Sequence, residues 1–304
     1  MSTEDLLPQV PRTRALYSGG PEVSSLAWGM WRFAGNDLAA AQSLVEAALD
    51  SGINLFDTAD IYGFGEEGFG AAEELLGQVF AASPELRSRM VLATKGGITP
   101  PVPYDSSPGY LMAALDASLK RLGTERVELW QVHRPDLLSH PHELAHTLEN
   151  MVTSGKVGAV GVSNFTTAQI AALRPFLTVP LASTQPEFSP LHLQPIDDGQ
   201  LDQAMQHSMA VLAWSPLSGG RIADPLTGRQ KAVAMALDKV ASEYDVSRAA
   251  VTFSWIMAHP AWIIPIVGSQ NAGRIADASG AYKVRWSRSS WYGVLVAARG
   301  EPLP

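Results

Sequence analysis

Eight short apolar runs recur through the chain, each separated from the next by a stretch with helical spacing, and no linker or change of composition divides them. The predicted strands cover residues 23–29, 53–56, 90–94, 127–132, 157–162, 181–184, 210–214 and 263–267. Asp37 is suited to cap a helix that runs to about Asp50 and stops at Gly52. Further helices are predicted over 71–80, 110–122, 142–154, 167–173, 201–208, 231–244 and 247–259. Pro100, Pro101, Pro103 and Pro108 make the loop between two of these units stiff and non-helical. Alternating strand and helix over about 250 residues predicts an α/β fold, a single (β/α)8 TIM barrel of parallel strands. An open doubly wound sheet is the competing layout, and the count of eight favours the barrel. The whole chain, 1–304, is expected to form one such domain, with 1–20 as an irregular arm or short hairpin and 283–304 as a C-terminal tail.

Charge and composition exclude several function classes. The net charge is −8, from 22 basic and 30 acidic residues, which argues against nucleic acid as a partner because phosphate backbones need a basic footprint. An anionic cofactor remains compatible with local Arg and Lys in one cleft. With no cysteine, neither a disulfide framework nor a thiolate metal site is available. The first residues carry acids and no apolar core, so no signal peptide is expected. No window reaches the roughly 18 apolar residues of a membrane span. A cytoplasmic protein, monomeric or weakly homo-oligomeric, is the expectation.

In parallel α/β folds the chemistry sits at the C-terminal ends of the strands. Three consecutive strands here end in different ionisable residues: Asp57, Lys95 and His133, spaced 38 residues apart in both steps. Tyr62 follows Asp57 by five residues, beside Gly63. This set suits hydride transfer to a carbonyl. As hydride reaches carbon, charge grows on oxygen, and a donor must already point there. Tyr62 would give the proton, made more acidic by a Lys95 ammonium that Asp57 keeps charged, while His133 donates a second hydrogen bond to the carbonyl oxygen. A barrel aldolase using Lys95 as a Schiff base is a different reading, and the carboxylate of Asp57 argues for a charged lysine instead.

Other motifs have blander readings. Gly63 to Gly68 spells G-x-G-x-x-G, yet Glu66 and Glu67 would repel a pyrophosphate, and a flexible loop fits better. His140, His142 and His146 lack the further ligands of a metal site and read as a solvated helix start, so no metal is expected. Trp28, Trp130 and Trp255 read as core; Trp31, at a strand end, is suited to line a substrate pocket.

In order and context, Asp57, Tyr62, Lys95 and His133 resemble the catalytic tetrad of the aldo-keto reductases. The segments NLFDTADIYG, LATKGG, SLKRLGTERVELWQVHRPD, GKVGAVGVSNF, TQPEFSPL, AWSPLSGG and IPIVGSQNAGRIADA are similar to that family too, so the likeness spans nearly the whole chain. The tail looks most like bacterial oxidoreductase-type members. The resemblance implies NADPH or NADP+ bound in extended form on the barrel, an alcohol:NADP+ oxidoreductase activity, and a small-molecule carbonyl substrate met by Trp31, Tyr62 and His133. It implies cofactor contacts from Gly29, Met30 and Asp57. Ser163, Asn164 and Gln185 match positions that hold the nicotinamide carboxamide, and Trp214 the aromatic that stacks on its ring. Ser215, Leu217 and Arg221 match the pyrophosphate loop. Gly268, Ser269 and Arg274 match the segment around the 2′-phosphate, and Asp277 the adenine side. Gly268 stands where many NADPH-dependent members carry a lysine, so use of NADH is also possible. The same fold also serves as a cofactor-sensing subunit of a membrane channel with little turnover, which is the alternative function.

Overall fold

The computed structural model describes residues 6–304. Strands β1 (Thr13–Ala15) and β2 (Glu22–Ser24) form an antiparallel hairpin. Eight parallel strands follow: β3 (Ala27–Gly29), β4 (Leu55–Asp57), β5 (Val91–Gly96), β6 (Val127–Val132), β7 (Val157–Ser163), β8 (Leu181–Gln185), β9 (Ala210–Ala213) and β10 (Ile264–Val267). Each pairs with the next, and β10 pairs with β3, so the sheet closes into a barrel. The expected (β/α)8 fold is therefore present.

The first strand departs from the sequence pattern. Residues 23–29 form two strands, because the chain turns at Ser25-Leu26. There the Ser25 amide donates to the Arg12 carbonyl at 2.9 Å and the Ser24 hydroxyl to that of Leu26. An apolar run does not register such a bend. The hairpin places Leu16 and Val23 among the inner residues of the barrel, with Leu55, Val91, Ala93, Leu129 and Ile264.

Side chains alternate across a strand, so this inner set fixes what every other strand residue does. From Leu55, two steps along β4 bring Asp57 to the inner face. From Val91 and Ala93, the next inner position on β5 is Lys95; from Leu129, those on β6 are Gln131 and, just beyond, His133. Register then makes them neighbours: Asp57 pairs with Ala93, and Lys95 with Gln131. Gly161 on β7 is dictated by the same crowding, since a Cβ there would lie 2.0 Å from the Ser183 hydroxyl.

The opposite faces, including Phe56, Leu92, Trp130, Val132 and Val160, pack outward against the helices and form the larger core. Local chemistry sets the helix ends. Asp37 caps Leu38–Asp50 by accepting from the Ala40 amide, worth about 1 kcal/mol. Ser107 caps Pro108–Leu122, where Pro108 occupies the first turn and Gly123 ends the helix at φ +62°. Gly77 permits close helix packing, for a Cβ there would lie 2.1 Å from the Arg121 carbonyl oxygen.

The C-terminal stretch, expected as a tail, contains the helix Arg288–Arg299. Its Trp291 stacks on Trp255 with centroids 4.9 Å apart, and each indole N–H donates to the other residue's carbonyl at 3.0 Å. Such aromatic pairs add about 0.5–1.5 kcal/mol beyond area burial.

Candidate active site

The C-terminal ends of β4, β5 and β6 bring Asp57, Tyr62, Lys95 and His133 together in a buried cluster. Lys95 lies inside β5, one residue short of its end. Its ammonium is 0% exposed and donates to Asp57 Oδ2 and to the Thr58 carbonyl, both at 2.7 Å. Tyr62 comes from the turn after β4, with its ring centroid 5.0 Å from Lys95 Nζ. Two rings meet it edge-on: His133 at 5.9 Å and Trp31 at 5.1 Å. Trp31 is 64% exposed, so it forms part of the mouth above Tyr62.

Burial works against charge in this cluster. It pulls the Lys95 ammonium down, but Asp57 and Tyr62 more than offset it and leave Lys95 above its ordinary value. Burial pushes the Tyr62 hydroxyl up by more than Lys95 pulls it down, so the net direction is upward. The ammonium acts on Tyr62 in the expected direction, lowering it, and offsets the burial penalty without overcoming it. His133 is held well below the usual histidine range, first by burial and then by Lys95 and Arg134. Its imidazole is therefore neutral at neutral pH, with Nδ1 buried and unpartnered.

A second layer holds Asp57. Its Oδ1 accepts from Gln185 Nε2 at 2.9 Å and from Gln131 Nε2 at 3.4 Å, and Ser183 donates to Gln131 Oε1 at 3.1 Å. Gln131 was missed from the sequence, although strand parity and its register opposite Lys95 mark it as inward-facing. Behind Lys95 lies a second acidic pair, also missed. Glu73 accepts from Thr94 and Arg121. Asp60 has both carboxylate oxygens unpartnered, and burial followed by Glu73 pushes it well up, which favours its neutral form.

The residues proposed for a cofactor occupy the ends of β7 to β10 and of β3. Ser163 donates to the Gln185 carbonyl at 2.9 Å, and Asn164, at φ +61°, donates from Nδ2 to the His133 carbonyl at 3.0 Å. Trp214 Nε1 donates to Asn164 Oδ1 at 3.0 Å, tying the indole to the same network. The Gln185 side chain uses its amide on Asp57 and leaves its Oε1 without a protein donor among the described residues. Ser215 has φ +50° at the start of the next turn, and in that turn the Leu217 carbonyl accepts from Gly220 while Arg221 Nε donates to the Ser218 carbonyl at 2.7 Å. Met30 is buried, and its amide donates to the Asp57 carbonyl at 3.0 Å. Gln270 reaches the Gly29 carbonyl at 3.4 Å, and the Ser269 carbonyl accepts from Trp28.

Gly268 is exposed at the end of β10, and Arg274 lies exposed on the helix Ala272–Asp277. Neither Arg221 nor Arg274 pairs with a carboxylate among the described residues. Two guanidiniums without a carboxylate partner, beside polar strand ends, fit a phosphate-bearing ligand. Asp277 is already engaged, accepting from the hydroxyl of Ser247, the residue that caps the preceding helix Arg248–Met257. His140 caps the helix Pro141–Thr153, with His142 and His146 in contact beside it. No helix among the described residues is long and apolar enough to cross a membrane.

Comparison with known proteins adds independent findings. A sequence model described as the Aldo/keto reductase family matches residues 25–293. A 6-dehydroglucose reductase of Novosphingobium aromaticivorans is 60% identical, covering 98% of this chain and 99% of that protein. A 6-dehydroglucose reductase of Agrobacterium fabrum is 35% identical, covering 93% and 96% respectively. A thermostable aldo-keto reductase crystallised with the inhibitor epalrestat superposes with a TM-score of 0.82 over 94% of this chain and 99% of that one, at 21% identity.

Proposed function

This chain belongs to the aldo/keto reductase family, and from that premise we propose that it reduces the aldehyde of 6-dehydroglucose, or of a closely similar sugar, to the primary alcohol with NADPH. The chemistry rests on one observation above the others: a fully buried Lys95–Asp57 ion pair beneath a protonated Tyr62 and a neutral His133. The substrate rests on the 60% identity to the Novosphingobium enzyme across nearly the full length of both chains.

The aldehyde gains a hydride at carbon and a proton at oxygen. When bound, the reduced nicotinamide supplies that hydride. Tyr62 holds the proton and releases it to the oxygen as charge builds there. Lys95 stabilises the phenolate left behind, and Asp57, gripped by Gln185 and Gln131, fixes the ammonium. His133 is neutral, so it orients the carbonyl by a single N–H and does not compete as a proton donor. Trp31, at the mouth, offers an aromatic face to the sugar. Ser163, Asn164 and Gln185 are suited to the carboxamide, Trp214 to the nicotinamide ring, and Arg221 and Arg274 to the phosphates. Loss of the dihydronicotinamide absorbance on adding 6-dehydroglucose tests the proposal; no turnover with the sugar aldehyde would overturn the assignment.

The pH dependence has a fixed sign. Reduction needs a protonated Tyr62, whose folded pKa is above 10.0, and a neutral His133, whose folded pKa is well below 6.5. The rate constant kcat/KM for reduction is therefore expected to stay level between 6.5 and 10.0 and to fall only beyond those limits. A pH–rate profile checks this, and a histidine-like inflection near neutrality would contradict it.

Arg274 is the side chain placed for a 2′-phosphate, since Gly268 contributes no charge. Arg274→Ala is expected to raise KM for NADPH by about tenfold or more, the loss of a charge-assisted contact worth about 1.5–3 kcal/mol, with KM for NADH nearly unchanged. Equal effects on both cofactors would remove Arg274 from this role.

A further inference from the structure

A second cavity of about 380 Å³ opens at the end of the barrel opposite the tetrad. Ser25, just before β3, and Ile263, just before β10, line it, so it lies at the N-terminal ends of the strands. The packed barrel interior separates it from Tyr62 and Lys95. Its volume falls within the roughly 300–1,000 Å³ of small-molecule sites.

The charge pattern of its lining is unusual for this protein. Arg14 and Arg288 contribute to the wall, and no aspartate or glutamate does, although the chain carries an excess of eight acidic residues. Neither arginine forms a salt bridge among the described residues. Arg14 is partly buried, and burial lowers its guanidinium below the ordinary value, so desolvation is not repaid by an anion. Its Nη1 donates to the Trp262 carbonyl, while its buried Nε–H has no acceptor among the described residues, a donor that native structures rarely leave unpaired. Arg288 is the first residue of the helix Arg288–Arg299, where the dipole disfavours a cation and favours an anion. Trp291 and Tyr292, from the same first turn, also face the cavity.

The remaining wall is largely apolar. Trp262 sits at φ +52°, uncommon for a bulky residue, and the Arg14 guanidinium lies 5.6 Å from its ring centroid. Pro8, Pro11 and Pro260 also line the cavity. His259 adds no charge, because burial lowers its pKa and its Nδ1 accepts from the Ala261 amide.

We propose that this cavity binds a planar aromatic carboxylate, its ring between Trp262 and the Trp291–Tyr292 turn and its carboxylate between Arg14 and Arg288. The site is independent of the reductase chemistry and of the substrate assigned to it. An aliphatic anion would meet the arginines but leave Trp262, Trp291 and Tyr292 without an aromatic partner, and a neutral aromatic would leave both guanidiniums without an anion.

Isothermal titration of the full chain with 1-naphthoate, and with uncharged 1-naphthamide, tests the proposal. The titrations are run with saturating NADP+ and 6-dehydroglucose so that a carboxylate entering the active site is excluded. One naphthoate per chain is expected to bind under those conditions, with naphthamide at least about tenfold weaker. Arg288→Gln, on an exposed side chain, is expected to weaken naphthoate about tenfold while kcat for the sugar stays unchanged, and Arg14→Gln to do the same. Absence of binding, displacement by cofactor and substrate, or an affinity unchanged from the parent in both arginine variants would overturn it.

Discussion

Tyr62→Phe is expected to lower kcat for carbonyl reduction by about 10²–10⁴-fold, the contribution of a positioned proton donor, while cofactor affinity stays within about twofold of the parent. The substitution removes one hydroxyl and keeps the ring that Trp31 and His133 meet edge-on. Packing therefore survives and only the proton is lost. The paired readouts are steady-state turnover and cofactor binding by fluorescence. Equal turnover in the two proteins would exclude Tyr62 as the donor; a parallel loss of cofactor affinity would mean that the hydroxyl acts through binding.

Lys95→Met is expected to have the largest combined effect, because it acts on stability and on chemistry together. Lys95 is the fully buried partner of Asp57, and no other cation among the described residues is hydrogen-bonded to that carboxylate. Removing it leaves a buried carboxylate facing two glutamine amides, and breaking such a pair costs about 3–5 kcal/mol. The turnover loss should at least equal that of Tyr62→Phe, since the phenolate formed on proton release then has no ammonium beside it. Asp57→Asn combined with Lys95→Met separates the two effects. With neither charge present, most of the lost stability should return, while activity should not. Denaturant unfolding and turnover on the parent and the two variants read this out. A double variant as unstable as Lys95→Met would contradict the ion-pair account, and one with restored turnover would contradict the catalytic account.

Much of the barrel was legible in the chain because period-2 alternation and strand register are local properties. Leu55 and Asp57 share a face, as do Val91, Ala93 and Lys95, and neighbouring parallel strands then bring the carboxylate and ammonium together. Gln131 was legible by the same parity and was passed over because a glutamine does not announce chemistry. The helix Arg288–Arg299 also left a signal, with Trp291, Val294, Leu295 and Ala298 on one face after a Ser287 cap. Other features depend on context that no single segment holds. The bend at Ser25-Leu26 is held by a hydrogen bond from the Ser25 amide to the Arg12 carbonyl across the hairpin. The upward direction of Tyr62 is a balance of burial against a lysine 33 positions away in the chain. The cavity at the far end is assembled from the N-terminal segment, the hairpin, the approach to β10 and the last helix, and only closure of the barrel brings them to one place.

The central claim is that the mouth above Tyr62, Lys95 and His133 is a site of hydride delivery to a sugar aldehyde. Turnover of 6-dehydroglucose with NADPH carrying deuterium on one or the other face of nicotinamide C4, followed by mass and NMR analysis of the product, tests it most directly. The account predicts a primary alcohol with one deuterium at C6 from one of the two labelled cofactors and none from the other. An unlabelled alcohol from both, or an intact labelled cofactor beside unreacted aldehyde, would contradict it.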